Sequence, residues 1–377
     1  MELKMEVYSP ALELLGILEG CRSLVYEEKA FSSGSFTLES LITPEILSLI
    51  KPDRIIWFRE GAAGIVELIQ QQESREGPYI TVKGSLLTGI LGRRILWGRY
   101  DLKGTAAECM ARLVDDSCIH PTRGDGPARV LPGLKMAEPQ PAGDGVPALR
   151  AQKTGGTLLE ALEELGEAGA TAFGVEFSPK EPELRFWTRA GVDRTAGQTQ
   201  RDPVLFSTEL DDVLEAEYSC SSAGYRNVAL VAGEGEGPDR IYLTAAEPGG
   251  EAAGFSRREL WVDARDLQRG EEGSEDRLTP EEYAEVLLTR GGEKLAENPL
   301  AESFQATVRT VDPTYRLGRD FLLGDRITVE DRRLGIRADA VATAVRYGIS
   351  REGESQELTL GYGQPTIYEK LSRKADR

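Results

Sequence analysis

Ser48-Leu49-Ile50-Lys51 sets a hydroxyl and an amine at the spacing at which a helix lets lysine take the proton of an attacking serine. Lys153-Thr154-Gly155 and Tyr225-Arg226-Asn227 would complete such an acyl-transfer site with a facing strand and an amide. The order argues against it, because the asparagine tripeptide comes last and Pro52 truncates the helix that should present Ser48 and Lys51. No serine enzyme is expected.

Histidine chemistry fares no better. His120 is the only histidine, so a hydrolase with an imidazole base has one candidate. Cys118 stands close by, but structural zinc takes four ligands, and Cys21, Cys109 and Cys220 show no compact spacing with the pair. A loop histidine beside a buried thiol is the expectation. Gly233-Glu234-Gly235-Glu236-Gly237 lacks the lysine and following helix of a phosphate loop, and its glutamates repel phosphate, so it reads as a tight turn between strands. Arg123-Gly124-Asp125 is a short match in a charged, Gly-rich loop and receives no function.

Acidic clusters are read as solvated surface. Helical spacing puts Glu160, Glu163, Glu164 and Glu167 opposite a leucine face, and Glu271, Glu272, Glu275 and Asp276 read as an acidic loop without a calcium-binding pattern. The sequence thus predicts no catalytic, cofactor-binding or metal-ligating residue, and no cofactor.

The whole chain sets the bounds. Its 377 residues, 40% hydrophobic and 29% charged, suit two or three globular modules. Acidic residues outnumber basic ones by 63 to 45, and a net charge of -18 opposes stable nucleic-acid binding, although DNA could pass such a surface without sticking. No run reaches the roughly 18–20 apolar residues of a membrane helix. The N-terminus shows no leader pattern, and the four scattered cysteines fit a reduced state, so folding in a cytosol is expected.

Short strands fill the first hundred residues, at Ser35 to Leu38, Arg54 to Phe58, Gly64 to Leu68 and Tyr79 to Val82, as in a small barrel or sandwich. The unbroken apolar run Ile55 to Phe58 predicts burial on both faces or an interface. An amphipathic helix follows from about Gly104 to Asp116, then an irregular Pro- and Gly-rich stretch from Pro121 to Gly156 with an edge strand. Thr157 and Glu160 form a capping box for a helix that Gly166 is expected to close. Phe173, Val175 and Phe177 alternate, as do Leu184, Phe186 and Thr188, which predicts a hairpin. Strands return at Asn227 to Val231, Arg240 to Thr244 and Leu260 to Asp263. Thr279, Pro280 and Glu282 announce another helix, with Gly291 and Gly292 as a weak point, before strands at Phe304 to Val311, Arg326 to Val329 and Glu357 to Leu360.

An internal echo runs through this order. Asp53-Arg54-Ile55, Ser74-Arg75-Glu76-Gly77 and Ile80 to Gly84 recur as Asp325-Arg326-Ile327, Ser350-Arg351-Glu352-Gly353 and Glu357 to Gly361. The echo predicts one module of strand, polar turn and strand used twice, with chance recurrence of the common residues Arg, Glu and Gly as the rival reading.

Four stretches carry a family likeness: Tyr26 to Phe36 with Gly34-Ser35-Phe36; Ile80 to Leu87 with Arg93-Arg94-Ile95; Tyr225 to Gly237; and Tyr315 to Val329. Together they resemble siphovirus tail hub proteins over nearly the whole chain. The resemblance implies an α+β, mainly β chain with two tube-like β-barrel domains and inserted α+β modules. It divides the chain into a first barrel at 1–99, an inserted α+β module at 100–198, a strand-rich start of the second barrel region at 199–265, a helical insertion at 266–302 and closing strands at 303–377. With the sequence ending at Arg377, the peptidase or carbohydrate-binding extension of some relatives is not expected.

What the resemblance implies for function is a baseplate hub subunit in the virion tail, assembled in the host cytoplasm. The expected form is a homotrimeric ring adapting a hexameric tail tube to the tip. Expected partners are tail tube and distal tail proteins, a tape measure protein, and a tip or spike protein. A tail-associated cell-wall hydrolase and the hub of a tail-related injection apparatus are the competing readings. The first needs a catalytic constellation that the sequence does not supply.

Overall fold

Segments rich in Val, Ile, Phe and Tyr, punctuated by Gly, Pro and charged turns, bury one face as strands, and they dominate this chain. A computed structural model describes residues 4–74, 77–138, 148–209, 213–246, 252–270, 277–308, 314–331, 336–350 and 353–361. The fold is α+β and mainly β.

In chain order the N-terminal elements are β1 (Met5–Tyr8), β2 (Leu14–Leu18), β3 (Ser23–Lys29), β4 (Ser35–Leu41), α1 (Pro44–Leu49), β5 (Ile55–Arg59), β6 (Ala62–Ile65), β7 (Leu68–Ser74) and β8 (Gly77–Ser85). The middle holds β9 (Arg99–Gly104), α2 (Ala106–Val114), β10 (Leu134–Met136), β11 (Leu149–Thr154), α3 (Leu158–Ala168), β12 (Thr171–Ser178), β13 (Glu183–Ala190), β14 (Leu205–Ser207) and β15 (Val213–Ser221). There follow β16 (Val228–Ala232), β17 (Tyr242–Ala246), β18 (Glu259–Asp263), α4 (Pro280–Ala296), β19 (Ala301–Val308), β20 (Arg326–Asp331), β21 (Ile336–Ser350) and β22 (Gly353–Gly361).

Close packing divides the chain into two units, one running to Glu217 and resuming over Phe304–Gly361, the other Tyr218–Ser303. The first is built on a ten-stranded sheet whose main path is β15-β19-β22-β21-β3-β4-β8-β7, with β20 joining β21 to β14. Strands from near the two ends of the chain meet at its centre, where β3 and β21 pair antiparallel with Tyr26 opposite Tyr347. A four-stranded sheet, β2-β1-β5-β6, shares a core of Val7, Leu24, Tyr26, Phe36, Ile56 and Val82 with it.

A second core in this unit gathers α2, α3 and the β12–β13 hairpin around Met110, Leu113, Leu162, Leu165, Phe173 and Phe186. The hairpin has the alternation expected of it, with Val175 opposite Phe186 and Phe177 opposite Leu184. Full burial of each leucine stabilises the fold by roughly 2 kcal/mol. The second unit is smaller. There β17-β16-β18 form a sheet with parallel β16 and β18, and Tyr283, Leu287 and Leu295 of α4 pack against Ala229, Val231, Ala245 and Val262.

Capping boxes start α2, α3 and α4, in each case a threonine hydroxyl and a glutamate three residues on: Thr105 with Glu108, Thr157 with Glu160, Thr279 with Glu282. Two glycine expectations need correction. The α3 helix passes through Gly166 to Ala168, and the left-handed residue is Ala170 at φ 44°. Gly166 instead permits close packing, since a Cβ there would lie 3.0 Å from the Thr171 carbonyl oxygen. Gly291 is likewise no weak point: α4 continues through it, and a Cβ would meet Ala245 Cβ at 2.6 Å and Val231 Cγ2 at 2.8 Å. The expected strand Gly64 to Leu68 is broken at Val66 and Glu67, where the chain leaves the β6 sheet for the β7 sheet. Beyond Val308, the expected strand through Val311 lies outside the described residues.

Candidate functional site

The side chains with chemical potential are occupied by local structure. Ser48 lies at the exposed end of α1, donating its hydroxyl to the Glu45 carbonyl oxygen at 2.7 Å, and the helix ends before Lys51. Lys153 pairs with Glu164 across β11 and α3. Asn227, in the second unit, accepts from the Arg258 N–H and donates to the Ser256 carbonyl, both at 2.8 Å, pinning a turn. Each of the three motifs is engaged in contacts of its own local structure.

His120 is exposed, with Nδ1 2.7 Å from Asp115 Oδ1 at a π-helical turn. Cys118 is fully buried there, and desolvation pushes its thiol up to about 11, the wrong direction for a nucleophile or ligand. Among the described residues no group of three or more His, Cys, Asp or Glu could hold a metal, and no helix is long and apolar enough to cross a membrane.

Gly233 to Gly237 is the turn expected between β16 and β17. Its Glu234 N–H donates to Tyr283 Oη at 2.8 Å, and its carboxylate accepts from the Arg269 N–H at 2.9 Å. Arg123 of the Arg-Gly-Asp tripeptide is similarly engaged: its guanidinium lies 4.1 Å from the Tyr100 ring centroid and donates to the Trp97 and Arg99 carbonyls. The acidic face of α3 is only partly solvated. Glu160 caps the helix, Glu164 pairs with Lys153, and desolvation raises the pKa of Glu163. The acidic loop Glu271 to Asp276 lies outside the described residues.

The strands hold a different kind of site. The path of the long sheet is two similar four-strand runs in tandem, β15-β19-β22-β21 and β3-β4-β8-β7. The repeated Ser-Arg-Glu-Gly closes the same hairpin in both, with Ser74 opposite Gly77 and Ser350 opposite Gly353. The two middle residues of each turn lie outside the described residues. Both glycines have positive φ, 109° and 142°, a conformation that L side chains rarely adopt. The adjoining inner strands contain Ser35-Phe36 in β4 and Ser303-Phe304 in β19.

Upstream the likeness continues with a shift. Val66 and Ala342 stand equally far ahead of the turn serine, and their N–H groups donate to the Arg54 and Asp325 carbonyls, both at 2.9 Å. The second copy keeps one long strand through this point, with a bulge between Ala342 and Ala344, whereas the first breaks into β6 and β7. The outer neighbours differ too, since β5 pairs antiparallel with β1 and β20 pairs parallel with β14.

The join between the runs is locked by aromatic and ionic contacts. Tyr26 and Tyr347 stack with centroids 4.8 Å apart; Arg59 donates to Tyr26 Oη at 2.6 Å, pairs with Glu28 at 2.6 Å and lies 4.7 Å from the Tyr347 ring centroid. Burial raises the pKa of both phenols, Tyr347 to about 12, and raises the pKa of Glu28 against the pull of Arg59.

The family described as Siphovirus ReqiPepy6 Gp37-like protein matches residues 4–362. The chain belongs to it. No curated protein matches the sequence. Solved structures share the fold of this Gp37-like chain at low identity. A tail protein from Neisseria meningitidis MC58 is 14% identical with a TM-score of 0.55, over 95% of this chain and 96% of that one. The prophage MuSo2 43 kDa tail protein from Shewanella oneidensis gives the same identity and score over 95% and 98%. Prophage tail protein gp18 from Listeria monocytogenes EGD-e is 11% identical with a TM-score of 0.51, over 99% and 98%. Family and fold together are those of a phage tail protein, and the virion tail is where it belongs.

One further feature of the Gp37-like chain escaped sequence reasoning. Asp325, fully buried, accepts from Arg189 at 2.7 Å, Arg194 at 3.2 Å and the Val192 and Leu322 N–H groups. It ties the segment after β13 to the start of β20, and nothing in the sequence links residues so far apart.

Proposed function

We propose that this protein is a non-enzymatic hub subunit of the phage tail, assembling as a homotrimeric ring that adapts the hexameric tail tube to the tip. The observation that carries the reading is the duplicated four-strand run. Three chains with two similar runs each present six similar surfaces, so a threefold ring can mate with a sixfold tube without a mismatch at the contact. Closure of each run into a tube-like barrel belongs to the same proposal.

Its partners would be the tube or distal tail protein on one side, the tip or spike protein on the other, and the tape measure protein between. The acidic balance suits a ring through which DNA passes without stable binding. The test is mass in solution: light scattering coupled to gel filtration should return three times the 41.3 kDa of one chain, and a mass that stays at one chain at micromolar concentration would refute the ring.

A further inference from the structure

Arg94, Arg123 and Arg129 gather on the stretch 93–99 of a chain whose net charge is -18, and among the described residues none of them pairs with a carboxylate. Each donates to backbone carbonyls instead: Arg94 Nε to Arg129 at 2.8 Å, Arg123 Nη1 to Trp97 at 3.2 Å and Arg99 at 2.9 Å, and Arg129 Nη2 to Ile95 at 2.7 Å. Neighbouring arginines behave differently, since Arg93 pairs with Asp53 at 2.7 Å and Arg99 with Asp101 at 2.9 Å. The only acid between Pro121 and Leu131 is the exposed Asp125. A local excess of positive charge therefore stands in an acidic protein.

The carbonyl bonds staple the loop 121–131 to the stretch 93–99, which accounts for where the guanidiniums lie but not for their charge. Carbonyl dipoles hold a cation without neutralising it, and a charge withdrawn from water stays costly until an anion meets it. Arg129 is only 7% exposed. Donors remain for such an anion, because Arg123 bonds through Nη1 alone and Arg94 leaves Nη2 unused.

Apolar side chains rim the same place: Ile95 is 52% exposed, Trp97 40% and Val130 36%. The indole is fixed from behind, since a Cβ on Gly124 would lie 2.7 Å from Trp97 Cδ2 and the Arg129 guanidinium lies 5.6 Å from the ring centroid. Tryptophan and arginine held in place before a partner arrives lose little freedom on binding, and these residue types dominate the energetics of protein interfaces.

We propose that this patch takes a short acidic segment of another tail protein, its carboxylates on Arg94 and Arg123 and an apolar side chain between them against Trp97, Ile95 and Val130. The inference goes beyond the hub reading, because it rests on the chain's place in the tail and not on a threefold ring. A protein segment fits better than a nucleic acid. Three charges rimmed by apolar side chains match a few residues, whereas a long polyanion would run on over a chain of net charge -18.

The test places the photo-crosslinker p-benzoylphenylalanine at Ile95 or Val130, exposed side chains that take no part in the staple, and irradiates assembled tails carrying the full chain. Adducts are digested and sequenced by mass spectrometry. The expected adduct is a peptide of a different tail protein in which aspartate or glutamate flanks an apolar residue. The double variant Arg94→Glu with Arg123→Glu should lose that adduct, and replacing the acids of the captured segment by lysine should restore it.

An adduct to a second copy of this chain, to DNA, or to a segment without acidic residues would overturn the proposal, as would irradiated tails that give no adduct from either position. An adduct that persists undiminished in the folded double variant would overturn it too. Should the double variant fail to fold, the composition of the segment captured from Ile95 and Val130 still decides.

Discussion

Tyr26 and Tyr347 stack 20° from parallel across the one strand pair that joins the two tandem runs, and Arg59 holds both. The contact couples strands from near the two ends of the sequence, so the first unit closes only when its last strands have been made.

Replacing Arg59 should loosen this join. Arg59→Ala removes the donor to Tyr26, the partner of Glu28 and the cation above Tyr347, but the guanidinium is 47% exposed, which limits the cost to about 1–2 kcal/mol. Urea unfolding should show that loss, and Arg59→Lys should recover only part of it because the ammonium lacks the planar fork.

Asp325 should matter more. Asp325→Asn leaves Arg189, only 13% exposed, without its anion, and breaking a buried pair of this kind costs about 3–5 kcal/mol. The exposed pair Arg319 with Asp320 is the control, and Arg319→Ala should change the unfolding midpoint little.

Neighbouring glycines of α4 should respond with opposite signs. Gly291→Ala drives a methyl into Ala245 and Val231 and should destabilise by about 1–3 kcal/mol. At Gly292 nothing lies within 4 Å, so Gly292→Ala should stabilise by up to about 1 kcal/mol through helix propensity. Thermal unfolding of the two variants side by side checks the pair.

Glu163 sets a pH dependence. Desolvation raises its folded pKa, opposed by the Ser33 N–H, so the folded state takes up a proton more readily than the unfolded one. Its contribution is full below the ordinary carboxylate range and is lost as pH rises through the raised value. Glu163→Gln should therefore be more stable than the parent at pH 7.5, with the difference fading toward pH 4.

Much of the local structure was legible because it depends on neighbours in sequence. The capping box at Thr157 and the alternation of Phe173, Val175 and Phe177 name their elements outright. The 15-residue β21 was not legible, since Ala338, Ala340, Ala342 and Ala344 carry little strand preference and their state is decided by β3, β20 and β22 alongside. Gly166 and Gly291 read as helix breakers, but the packing that needs them comes from Thr171 in one case and β16 and β17 in the other. The echo led to the repeated hairpin through its turn residues, while the shift at Val66 and Ala342 appears only in the hydrogen bonds.

Enzymatic activity is a further point of attack. With Cys118 held as a buried thiol and Ser48 bonded to its own helix, the purified protein should release no soluble fragments from peptidoglycan. Turnover that vanishes in Ser48→Ala or His120→Ala would contradict the structural role.

The most direct measurement is an electron-microscopic reconstruction of the purified protein. A threefold ring with a central hole is predicted, in which the runs β3-β4-β8-β7 and β15-β19-β22-β21 superpose by a rotation of about 60° about the ring axis, as six similar surfaces from three chains require. Isolated single chains, or a ring whose two runs are related by a rotation far from that value, would contradict the account.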